Sequence, residues 1–161
     1  MRGVSLPASS MSRDSPFPFV GLFRPVHQQL RDEVDGLDDD ALNWVPIPGA
    51  NSIATIVTHL VGSEAETLRC VAGLSCERDR DGEFVACWLT SQDVLQLLER
   101  ADALIAELEP RIDESRLRAE FALPTLPADD VRPGLSWLIS NYGHAREHVG
   151  QIQLTKQLRH R

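Results

Sequence analysis

Four separate stretches of this chain repeat apolar residues every three or four positions, and no stretch alternates long enough to build a sheet. That periodicity confines the fold to packed helices. Val26, Leu30 and Val34 fall on one face of a first segment running from Phe19 to about Asp35, with Gly36 placed to end it. Pro25 either kinks that helix or marks its true first turn near Arg24. After the polar, Pro-rich "LDDDALNWVPIPGAN", Asn51 or Ser52 offers an N-cap for a second helix reaching Gly73, with Ile53, Ile56, Val57, Leu60, Leu68 and Val71 on one side. Thr90 and Asp93 form a capping-box-like start to a third, in which Leu95, Leu98, Ala101, Ile105 and Leu108 follow up to Pro110. A fourth runs from about Pro133 to Leu158. The expected architecture is all-α: a four-helix bundle whose long connector, "RIDESRLRAEFALPTLPADDVRPG", crosses over between helices three and four, with one short strand near Phe121.

A length of 161 residues with 42% apolar content suits one domain with a real core. Residues 1–16, rich in Ser and Pro and without periodicity, read as a disordered leader, and 17–161 as the bundle domain. A net charge of −8 argues against nucleic acid and anionic membranes, which require clustered Lys and Arg. A small-molecule partner is expected instead. Cys70, Cys76 and Cys87 are odd in number and show no C-x-x-C spacing, which argues against a disulfide framework and for the cytoplasm. No apolar run approaches the ~18 residues of a membrane span.

The residues that carry chemistry lie in "NYGHAREHVGQIQ". His144 and His148 are one turn apart, about 40° around a helix, so both imidazoles face the same way. Leu135, Leu138, Tyr142, Ala145, Val149 and Ile152 form an apolar stripe, and the histidines lie on a more polar stripe beside it, with Trp137, Ser140, Asn141, Gln151 and Thr155. A site lining a bundle interior needs such a border position. A pair of this kind is more often incidental than metal-binding, and a third donor is the useful test. His160 sits in the terminal tail. His59, midway along the second helix, is either that donor or a core histidine satisfied by a neighbouring helix.

The segment "NSIATIVTHLVGSEAE", followed far downstream by "NYGHAREHVGQIQLTKQL", resembles the DinB/YfiT-like superfamily of metalloenzymes, from about Phe19 to Leu158. The resemblance implies that His59, His144 and His148 bind one divalent metal inside the bundle, with Zn²⁺ and Ni²⁺ both compatible with imidazole ligands. It also implies chemistry of a thiol-dependent S-transferase or isomerase acting on a small electrophile, with a low-molecular-weight thiol such as mycothiol as co-substrate. A homodimer is compatible with it. The alternative is a non-catalytic binding or stress-response module on the same scaffold. Many members carry Trp before the Ser that opens the second helix, where this chain has Ala50-Asn51.

The remaining candidates are weaker. "HAREH" fits the inverzincin peptidase string, but only thirteen residues follow His148, too few to supply a further ligand. Glu147 therefore reads as a surface residue. Cys70 lies about 16 Å along the helix from His59 and reads as a packed thiol. Ser63 and Glu66 could line a pocket above the metal, Glu64 has no assigned role, and His27 is expected at the solvent or, failing that, beside the pocket.

Overall fold

The computed structural model describes residues 20–85 and 88–159; the leader, Cys87 and His160 lie outside them. Six α-helices and one two-residue ladder follow in order: α1 (Phe23–Val34), α2 (Asp39–Asn43), α3 (Ile53–Val71), α4 (Ser91–Leu108), α5 (Glu114–Arg118), β1 (Glu120–Phe121), β2 (Arg132–Pro133) and α6 (Gly134–Arg159). The four long helices are those the periodicity predicts. Single-turn 3-10 segments precede α1, follow α4 and occupy Gly82–Phe84.

Local chemistry sets the ends. Pro25 is the third residue of α1, within the first turn, where backbone N–H groups have no helical partner, so the ring interrupts nothing. Ser52 caps α3 by accepting the Thr55 N–H at 3.2 Å. At the other end Gly73, with φ +76°, lets its N–H reach the Cys70 carbonyl at 3.0 Å while the Leu74 N–H reaches that of Arg69 at 2.8 Å. This is a Schellman closure, and it needs the left-handed conformation glycine adopts freely. Thr90 and Asp93 form the full capping box of α4.

Two short helices escape a periodicity argument because one turn has no period. Asp38 accepts the Ala41 N–H at 2.6 Å and starts α2; Asp113 does the same for α5 through Arg116 N–H at 2.9 Å. The strand at Phe121 is paired antiparallel, opposite Arg132, so the fourth helix starts at Gly134, after the ladder. Trp137 fixes that ladder to α6 by donating its indole N–H to the Phe121 carbonyl at 2.9 Å.

In the bundle α3 packs against α4 and α6, and α1 packs against the same two helices. The pairs α1/α3 and α4/α6 therefore lie across the diagonals. The connector before α6 is the expected crossover, and the α1-to-α3 connection through α2 is a second one that the sequence reading did not anticipate. The interior holds two apolar clusters. Val26, Leu30, Leu60, Leu98 and Val149 belong to one, and Phe23, Leu68, Ile105, Trp137 and Leu138 to the other. Each fully buried aliphatic side chain contributes about 1.5–3 kcal/mol relative to exposure.

Candidate metal centre

His59 projects from the middle of α3, and His144 and His148 from successive turns of α6, the helix packed along it. His144 Nε2 lies 3.2 Å from His59 Nε2 and 2.9 Å from His148 Nε2. One ligand atom from each of the three residues lies within 4.8 Å of the others. The structure thus brings together all three histidines singled out in the sequence. His59 is buried and the other two are half-buried.

Tautomers decide what this cluster can hold. His59 Nδ1 lies 2.9 Å from Glu83 Oε2, which can only accept, so the ring proton sits on Nδ1. Arg78 Nη2, 3.3 Å from the same nitrogen, is then a neighbour and not its donor. His148 Nδ1 donates to Gln151 Oε1 at 2.8 Å. Both residues consequently turn an Nε2 lone pair inward, toward the Nε2 of His144. A single proton on His144 can satisfy only one of those lone pairs, whereas one cation satisfies all three. His144 Nε2 lies 3.2 and 2.9 Å from the other two nitrogens, so it and either of them, each about 2.0–2.1 Å from a common ion, would subtend roughly 90–105° at it; all three ligand atoms lie within 4.8 Å of one another. The residues fit a divalent metal, and three protein donors leave coordination positions free for another ligand.

The electrostatics favour the neutral form of His144 and His59. Burial lowers the His144 pKa to about 4, helped by the neighbouring imidazoles of His148 and His59 and by Arg78 and Arg80. His59 is also lowered, by burial first, with Arg78 adding to it against the opposing pull of Glu83. Uncharged imidazole is the form that coordinates.

Behind His59 stands a charged assembly that the sequence reading missed. Arg78, only 7% exposed at its side chain, donates to Glu83 through Nε and Nη2, both at 2.7 Å, and to Glu66 through Nη1 at 2.9 Å. Thr125 fixes Glu66 from the other side through its hydroxyl at 2.7 Å and its N–H at 3.0 Å. Glu83 can lie against α3 because position 62 is glycine: a Cβ there would sit 2.0 Å from Glu83 Oε1 and 2.8 Å from its Cδ. Phe84, next along, packs its ring 4.6 Å from that of His59. The only hint of this assembly in the sequence is the density of Arg and Glu in "LSCERDRDGEFVACW", a stretch without periodicity.

A cavity of about 200 Å³ opens beside the histidines, with Ser63 and Glu66 on its wall as expected, together with Arg80, Asn141, Trp137 and Leu126. Asn141 donates to Ser63 Oγ at 2.9 Å across α3 and α6. Glu147 is exposed. Cys70 is half-buried with its pKa pushed up to about 11, chiefly by burial, an unreactive thiol in agreement with the packing role. His27 requires a correction. It is 0% exposed and bonds Glu64 Oε2 through Nε2 at 2.9 Å and Asp102 Oδ1 through Nδ1 at 2.7 Å. The expectation of solvent failed because helical bearing alone does not show that Glu64 and Asp102 converge on that face from α3 and α4. This network lies between the two apolar clusters and does not touch the metal centre's cavity, whose lining includes neither His27 nor Glu64.

The sequence matches the DinB superfamily over residues 22–152. The chain belongs to that superfamily. Two solved structures share its fold. One, a DinB-like protein from Bacillus cereus, is 15% identical with a TM-score of 0.66, over 86% of this chain and 89% of that one. The other is YfiT from Bacillus subtilis, described as a probable metal-dependent hydrolase with an unusual four-helix bundle topology. It is 15% identical with a TM-score of 0.68, over 96% of this chain and 93% of that one. No functionally curated protein matches the sequence. Among the described residues, no helix is long and apolar enough to cross a membrane.

Proposed function

We propose that this DinB-superfamily protein is a divalent-metal-dependent enzyme in which His59, His144 and His148 hold the ion, and that it transfers a low-molecular-weight thiol to, or isomerises with its help, a small electrophilic molecule. The observation that carries the reading is the meeting of three Nε2 atoms, two of them with their protons committed elsewhere to Glu83 and Gln151. A Zn²⁺ or Ni²⁺ ion there supplies Lewis acidity and lowers the pKa of a thiol or water taken up in a free position.

The chain's own residues favour a thiol over water as nucleophile. The carboxylates nearest the cluster are Glu83, whose oxygens accept from His59 and Arg78, and Glu66, whose oxygens accept from Arg78 and Thr125. Neither is free to take a proton as a general base. A thiol, with an ordinary pKa of ~8.5, needs far less help in losing its proton than water does. Cys70 and Cys76 do not supply the sulfur themselves: neither lines the cavity, and burial raises both pKa values. The thiol is then a co-substrate, as the DinB/YfiT resemblance implies, with mycothiol the first candidate.

The competing reading is hydrolysis, supported by the description of the Bacillus subtilis relative. Metal analysis of untagged protein comes first, then turnover of monobromobimane with a panel of small thiols beside turnover of a chromogenic ester. Thiol conjugation abolished in His59→Ala is the expected result. Ester turnover without conjugation favours the hydrolase, and stoichiometric metal with neither activity favours a binding module.

A further inference from the structure

The wall of the metal centre's cavity carries two arginines in different electrostatic situations. Arg78 is saturated: it faces Glu66 and Glu83, two carboxylates for one guanidinium. Arg80, two residues on, lines the same cavity. Among the described residues it makes no hydrogen bond and no ion pair, and its guanidinium carbon stands 5.7 Å over the Phe84 ring, which in turn packs on His59. An arginine has five donors in a planar fork suited to a carboxylate, and among the described residues this one, on the cavity's lining, has no protein acceptor for them.

The charges point the same way. Three uncharged imidazoles neutralise none of a divalent cation's charge, and Arg78 with its two glutamates contributes one negative charge. With a divalent cation in place the sum is already positive, and Arg80 adds one further positive charge, in a chain whose total is −8. Charge of one sign in a low-dielectric cleft concentrates ligands of the other. The cavity of about 200 Å³ is open to solvent on one side, so it encloses only the part of a ligand that lies beside the histidines. Its walls are apolar at Leu123, Leu126 and Trp137 and polar at Asn141 and Ser140.

We infer that the substrate of this centre is a small organic acid, its carboxylate paired with Arg80 while a second polar group of the same molecule faces the three histidines. This rests on the metal-centre reading above and adds the substrate's chemical class to it. Arg80 would act as a specificity residue. Being exposed and outside the hydrogen bonds that hold His59, it can be replaced with those bonds intact, at the loss of its place over Phe84.

The test uses full-length protein loaded with Co²⁺, whose visible absorption reports on its ligands. Succinate is the probe and succinamide, of the same shape without charge, the control. Succinate should perturb the wild-type spectrum at lower concentration than succinamide, and added salt should weaken it. Arg80→Ala should take up Co²⁺ as wild type does but bind succinate about tenfold more weakly, as loss of a charge-assisted hydrogen-bond pair implies, with Arg80→Lys restoring part. Equal succinate affinity in Arg80→Ala and wild type, or no preference for succinate over succinamide, overturns the acid-binding inference and leaves the metal centre standing. Failure of wild-type protein to take up Co²⁺ overturns both.

Discussion

Glu83→Ala separates the two jobs done by one carboxylate. In the protein Glu83 Oε2 accepts the His59 Nδ1 proton at 2.9 Å. Without it, the nearest polar atom to Nδ1 is Arg78 Nη2 at 3.3 Å, a donor, and the ring then favours the tautomer with its proton on Nε2. That proton occupies the lone pair a cation needs. Loss of the group behind a metal-bound histidine typically weakens affinity 10–100-fold, about 1.4–2.8 kcal/mol. The second job is neutralising Arg78, which would lose two bonds to Glu83 and keep one to Glu66 at 2.9 Å. Leaving charge-assisted donors unmatched at a side chain only 7% exposed costs about 1–3 kcal/mol. For a chain of this length, at about 2–4 °C per kcal/mol, the metal-free melting temperature should fall by roughly 2–12 °C. Glu83→Gln retains an acceptor for His59 and should lie between wild type and Ala on both scales. Zinc competition against a chromogenic chelator reads the affinity, and calorimetry of metal-free protein reads the stability. A Glu83→Ala affinity within twofold of wild type would refute the tautomer argument, whatever the melting temperature did.

Three further outcomes are expected. Gly62→Ala puts a methyl where Glu83 lies; it should weaken zinc about tenfold with little loss of helix, and unchanged zinc affinity would show that Glu83 relocates without consequence. Metal-free protein should lose stability as pH falls from about 6.5 toward 4: the folded pKa of His144 is depressed to about 4, so the unfolded chain binds more protons across that window. His144→Gln should flatten the melting curve there, and an equally steep curve would count against the buried neutral ring. The sign reverses at His27. Burial there disfavours the charged ring, but its bonds to Glu64 and Asp102 outweigh that and leave the pKa raised. Its contribution is therefore full below pH 6.5 and fades as pH rises through the folded value. His27→Leu should destabilise by about 3 kcal/mol at pH 6, and the gap in melting temperature from wild type should narrow by pH 9; a constant gap would contradict the assigned protonation.

The buried network at His27 shows where a one-dimensional reading stops. Glu64 is 1% exposed with its Oε1 lacking a protein partner, and burial raises its pKa. Both shifts favour retention of the proton the pair shares. On a helical wheel His27 and Glu64 are merely polar residues near an apolar stripe, since the wheel has no information about which helix faces which. The diagonal placement of α1 and α3 puts α4 beside both, and so brings Asp102 to His27.

The sequence alone determined the four long helices and most of their ends, because period, N-cap and left-handed glycine are properties of a few neighbouring residues. It also determined that His144 and His148 share a face, since one helical turn guarantees that. The resemblance to DinB-type proteins supplied His59 as the third donor, a choice residue spacing had left open. Only the tertiary structure decided that His59 reaches the pair, that Glu83 and Gln151 fix the tautomers, and that Arg78 is neutralised while Arg80 is not. Those are distances between residues up to 85 positions apart, set by which helices pack together and by an aperiodic loop folding over α3, and no local pattern of residue types encodes them.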